Sequence, residues 1–137
     1  KREEDLAGDG KARLAAAVQQ LVNASGGRVS IQALSDKTGY STRYIDRVFR
    51  EVVGLSPKTF CQIIRFQRLL NLLHSSEQQR LTDLADACGY YDQPQLIRQF
   101  KHYTGTTPRA YRKMLADADY HHRVVVTDFH LSGALPQ

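Results

Sequence analysis

The sequence predicts an all-α fold of about seven helices, arranged as two similar subdomains joined by a long linker helix. Three observations carry that expectation. The chain repeats itself, because Ala33-Leu34-Ser35-Asp36-Lys37-Thr38-Gly39-Tyr40 returns as Asp83-Leu84-Ala85-Asp86-Ala87-Cys88-Gly89-Tyr90. After one extra residue, Tyr91, the match resumes: Ile45 to Arg50 against Leu96 to Lys101, Gly54-Leu55-Ser56-Pro57 against Gly105-Thr106-Thr107-Pro108, and Phe60 against Tyr111. In both copies apolar residues recur at the spacing of one helix face, and glycines or Ser/Thr-Pro pairs punctuate them.

Residues 1–10 are charged, contain glycine and lack apolar periodicity, so they are expected to form a flexible leader. Leu14, Val18, Leu21 and Val22 then mark a first helix over about residues 9–25, which Gly26-Gly27 stop. Ser30 caps a short helix through Ile31, Leu34 and Ser35, and Gly39 ends it by supplying a left-handed conformation at low cost. Ser41 caps the next helix, with Ile45, Val48 and Phe49 inward and Arg43, Asp46, Arg47 and Arg50 outward. Together these segments make a first subdomain over residues 11–56.

Ser56 and Pro57 open a long helix, proline being tolerated in the first turn. Phe60, Ile63, Ile64, Phe66, Leu69, Leu70 and Leu73 extend it over residues 57–75, about 28 Å. A polar hinge follows, and the second subdomain, residues 76–118, repeats the pattern. Leu81, Leu84 and Ala85 form a short helix ended by Gly89, and Asp92 caps a helix with Leu96 and Phe100 inward. Thr107-Pro108 starts a last helix through Tyr111, Met114 and Leu115. In the tail, residues 119–137, Val124 to Phe129 reads as a strand with no partner in the pattern.

At 137 residues the chain has room for two small subdomains that lean on each other, and none for a separate catalytic domain. It starts at Lys1 and not Met, as a fragment or processed chain would. The net charge of +5 is unevenly spread: Tyr40 to Lys113 hold 12 Lys and Arg against 6 Asp and Glu, the rest 7 against 8. The surplus lies on the repeats, where a phosphate-facing surface needs it. Cys61 and Cys88 sit in helical patterns and are expected to be reduced structural thiols. His121, His122 and His130 lack a carboxylate or cysteine at ligand spacing, so no metal is expected, and no cofactor. No nucleophile elbow or carboxylate pair supports an enzyme. No apolar run approaches the roughly 18 residues of a membrane span and no signal peptide opens the chain, so the expected location is cytoplasmic, without membrane contact.

A helix-turn-helix packs one helix across a second so that the second projects into the major groove, its N-terminal part at the base edges. The crossing needs a small residue, here Ser35 and Ala85, and the turn needs glycine, here Gly39 and Gly89. Gly89-Tyr90, Arg98-x-Phe100-Lys101, Thr104-Gly105 and Thr107-Pro108-x-x-Tyr111-Arg112, with the matching first copy, resemble the DNA-binding domain of AraC/XylS-type transcription regulators. The resemblance spans about Ala12 to Lys113. It implies seven helices, two recognition helices joined by a rigid linker, and action on bacterial promoters.

By position, the resemblance places base contacts at Arg43, Asp46 and Arg47 in the first copy and at Gln93, Gln95, Ile97 and Arg98 in the second. Asp46 is expected to accept from cytosine or to orient Arg47, and Ile97 to meet a thymine methyl. Phosphate contacts are expected from Ser41, Arg50, Lys58, Lys101, Thr107 and Arg109. The partners implied are double-stranded DNA, RNA polymerase, and an N-terminal effector or dimerisation domain outside this sequence. A helical protein-interaction module, binding polymerase or a sensor domain through the same faces, is the alternative. Because Arg43, Asp46 and Arg47 stand opposite Pro94, Ile97 and Arg98, the expected DNA site is asymmetric, about 20 base pairs long.

Overall fold

The computed structural model describes residues 6–75 and 79–117. Seven helices follow one another: α1 (Gly8–Ala24), α2 (Ile31–Thr38), α3 (Thr42–Val53), α4 (Pro57–Leu73), α5 (Leu81–Cys88), α6 (Gln93–Thr104) and α7 (Pro108–Asp117). The expected all-α architecture of two helix-turn-helix units is therefore present. The valine-rich segment read as a strand and the histidines of the tail lie outside the described residues.

The chain divides into two compact units, with the division between Ile64 and Arg65, inside α4. The first unit is built on Leu14, Val18, Val22, Leu34, Ile45, Val48 and Phe49, closed by Cys61 from the first half of α4. The second is built on Leu84, Ala85, Leu96, Phe100 and Tyr111, with Phe66, Leu69, Leu70 and Leu73 from the second half of α4. The linker helix, expected over residues 57–75 with apolar positions on more than one side, thus contributes to both cores. Cys61 and Cys88 are both buried, and neither forms a disulfide.

The two units share the chemistry of their glycine stops and of most of their caps, the heads of α2 and α5 excepted. Ser30 Oγ accepts from Ala33 N–H at 3.0 Å at the head of α2. Gly39 and Gly89 adopt φ of 82° after α2 and α5, a conformation that a Cβ would strain. The residues behind those glycines, Tyr40 and Tyr90, are buried. Where the two helices of each motif cross, Ser35 and Ala85 are 1% and 3% exposed, so the close approach needs their small side chains. Ser35 Oγ also donates to Tyr40 C=O at 2.6 Å, fastening the turn.

The first helix starts a little earlier than the sequence suggested. α1 begins at Gly8, and Leu6 packs against the first core. Leu6 N–H donates to Tyr44 Oη at 2.7 Å, a contact across 38 positions that periodicity cannot show.

Candidate nucleic-acid interface

The second helix of each motif, α3 or α6, carries the candidate residues, and its direction is fixed at its first turn. Ser41 Oγ accepts from Tyr44 N–H at 3.1 Å, and Asp92 Oδ1 accepts from Gln95 N–H at 2.9 Å. Such caps satisfy N–H groups that a helix start leaves open. Ser41, expected at a phosphate, keeps only its hydroxyl proton to offer. Thr107 likewise caps α7, its Oγ1 accepting from Ala110 N–H at 3.1 Å.

On α3 the inward side chains are Tyr44, Ile45, Val48 and Phe49, which leaves Arg43, Arg47 and Arg50 exposed. Asp46 is half-buried and takes Arg50 Nε at 2.8 Å. The acid therefore orients Arg50 one turn on, where the sequence suggested Arg47. Arg47 instead lies over the Tyr44 ring, 5.0 Å from its centroid, a cation–π arrangement that seats the exposed guanidinium on an aromatic face.

On α6, Arg98 and Lys101 are exposed and Gln93 is half-buried. Gln95 Oε1 accepts from Tyr91 N–H, so while that bond holds the amide has only its NH₂ to present. The two-point pairing of glutamine with adenine needs both ends of the amide. Gln95 as placed here suits an acceptor such as a purine N7. Ile97, expected to face a thymine, is half-buried and packs against the second core together with Leu72, Leu81 and Leu115. Lys58 and Arg109 are exposed at matched places in the first turns of α4 and α7.

Two residues stand outside the pattern that periodicity picks out. Tyr44 is buried under Arg47 and stacks on Tyr40 at 5.5 Å, joining Ile45, Val48 and Phe49 on the inward side. Tyr91 is 90% exposed beside the head of α6. Its signal is present in the sequence, since it is the single residue by which the second copy exceeds the first.

Burial raises the phenol of Tyr90 above its ordinary value, the neighbouring Arg65 opposing that shift. It pushes Tyr111 up to about 12, and Tyr111 Oη lies 2.6 Å from His74 Nε2. These are core groups. Among the described residues, no cluster of three His, Cys, Asp or Glu side chains has the arrangement of a metal site, and no helix is long and apolar enough to cross a membrane.

A helix-turn-helix domain profile matches residues 34–114, more than half of the chain, including both motifs. The chain belongs to the AraC-type helix-turn-helix family. That family comprises DNA-binding transcription regulators. Among relatives of this AraC-type domain, an uncharacterised HTH-type transcriptional regulator of Staphylococcus aureus (strain COL) is 29% identical over 108 residues. The match takes in 72% of this chain but spans only 14% of that relative's length. An AraC-type transcriptional regulator from Chromobacterium violaceum superposes with a TM-score of 0.68 at 22% identity, over 80% of this chain and 98% of that one. The DNA-binding domain of AdpA, a global transcriptional factor solved in complex with a target DNA, superposes with a TM-score of 0.63 at 22% identity, over 80% and 96% of the two chains.

Proposed function

We propose that this AraC-type domain reads double-stranded DNA sequence-specifically, with α3 and α6 entering successive major grooves of an asymmetric site of about 20 base pairs. The observation that carries the reading is the pairing of a repeated frame with unequal reading residues. In both units a left-handed glycine and a side-chain cap aim the second helix, and an exposed arginine, Arg47 or Arg98, stands at the matched place. Around those arginines the copies differ: Arg43 and the Asp46–Arg50 pair in one, Gln93 and the Tyr91–Gln95 pair in the other. Exposed cations at Lys58, Lys101 and Arg109 supply the charge that phosphates attract. AdpA's domain, of the same fold, is bound to its target DNA.

A cytoplasmic location and contact with RNA polymerase go with this reading. The relatives of which the chain spans 14% leave room for an effector or dimerisation domain. Selection of bound duplexes from a random pool, followed by affinity measurements on Arg47→Ala and Arg98→Ala, tests the proposal. Each variant is expected to lose about 1–3 kcal/mol on the selected site and to relax preference at a separate base step. Unchanged affinity and preference in both variants overturns the groove assignment.

A further inference from the structure

The heads of α2 and α5 occupy matched places and are built differently. At α2 the Ser30 hydroxyl caps the first turn, whereas the matched residue at α5, Arg80, gives no side-chain cap. Among the described residues, the leading N–H groups of α5 thus lack the capping side chain that those of α2 possess. A second exchange lies beside the first. In the first unit Cys61, from α4, brings its thiol to Val29 C=O at 3.8 Å. Arg112 and Gln79 hold the matched positions in the second unit, and Arg112 Nη2 donates to Gln79 C=O. One backbone carbonyl is therefore met by a buried thiol in one copy and by a guanidinium in the other. Arg109 adds a third cation, where the first copy has Lys58.

These exchanges surround a recess of about 480 Å³, lined by Arg80, Leu81, Thr82, Gln93, Arg109 and Arg112. Three arginines line it, one from the head of α5 and two from α7, together with Thr82, and among the described residues no carboxylate does. Asp83 holds Arg80 Nε at 3.3 Å, but that pair is exposed and holds weakly in water. Partial burial lowers the Arg112 pKa, because its guanidinium has lost hydration that an anion would replace. The heads of α5 and α7 add their positive dipole ends to the same recess.

We propose that this recess is a seat for a backbone phosphate of DNA, unmatched in the first unit, which makes the second unit the electrostatic anchor of the domain. The proposal rests on the DNA-binding reading above. A duplex phosphodiester is favoured over a free phosphorylated compound because Gln93, the first residue of α6, lines the recess. An anion there lies against the start of the helix assigned to the bases, where the strand flanking a major groove runs.

The test compares the full chain with Arg80→Ala/Arg109→Ala, which leaves the Arg112 tie intact, and with Lys58→Ala. Affinity is measured over a salt series on a selected duplex and on a scrambled one of the same length, with helicity checked by circular dichroism. The double variant is expected to flatten the slope of log affinity against log salt by up to about 0.9, the share of one phosphate no longer neutralised, equally on both duplexes. Lys58→Ala is expected to flatten it less. An unchanged slope in the double variant, while Arg98→Ala still loses base preference, overturns the seat and leaves the DNA-binding reading standing. If the unmodified chain binds neither duplex, that reading falls and the DNA occupant with it. A titration with inorganic phosphate followed by amide NMR then shows whether the recess serves a free anion, by saturable shifts at Thr82 that the double variant lacks.

Discussion

Tyr44 ties together three neighbours in the first unit, one of them 38 positions away. Its hydroxyl accepts from Leu6 N–H, its ring stacks on Tyr40, and its face carries the Arg47 guanidinium. Tyr44→Phe keeps the ring and removes one hydrogen bond, so stability should fall by about 1 kcal/mol, with faster amide exchange at Leu6 and little change in DNA affinity. Tyr44→Ala also removes the support beneath Arg47 and should cost about 3–5 kcal/mol in urea unfolding, as other buried ring deletions do. Ile97 separates packing from reading. Because it is half-buried against the second core, Ile97→Ala should destabilise by about 1–2 kcal/mol, below the range for full burial, and leave base preference nearly intact. A large change in preference at unchanged stability would return Ile97 to the groove. The outward arginines were legible from helical periodicity alone. The partners of Asp46 and Gln95 were not, because the choice between Arg47 and Arg50, or between a base and Tyr91 N–H, is made by rotamers that spacing does not encode.

At the scale of the element, helix ends decide where reading residues point. The sequence announced these ends well, since serine, threonine or aspartate caps and glycine stops act within a few positions of themselves. Ser30, Ser41, Ser56, Asp92 and Thr107 all cap by side-chain oxygens in the structure. Ser41→Ala should destabilise by about 1 kcal/mol and loosen the first turn of α3. Gly89→Ala places a Cβ at φ of 82° and should cost at least about 1 kcal/mol, with DNA affinity falling further than stability because the turn aims α6. Equal losses of the two would mean that the turn supports the core without directing the helix. Less legible was the start of α1. Residues 8–10 carry no apolar repeat, and what draws the chain into order there is the bond between Leu6 and Tyr44, formed only after folding.

Over the whole molecule, charge and protonation set the conditions under which the chain works. Burial raises the Tyr111 phenol to about 12 and shifts Tyr90 and Tyr103 the same way. A phenol that keeps its proton when folded and loses it near pH 10 when unfolded stabilises the fold fully below pH 10 and less as pH climbs toward 12. Urea midpoints should therefore fall across that window, and Tyr111→Phe should make the decline shallower; a rise instead would contradict the burial of these rings. The repeat revealed two units, and apolar positions on more than one side of α4 suggested that it serves both, but no glycine, proline or polar break in that helix marks where one unit yields to the other. Its first half answers to Cys61 and the core of α1 to α3, its second to Phe66, Leu69 and Leu70. A doubled motif suggests two cassettes that can be exchanged or used alone. A cut at the division would leave each core its own half of α4 but sever the helix in mid-course, so that the backbone hydrogen bonds spanning the break lose their partners.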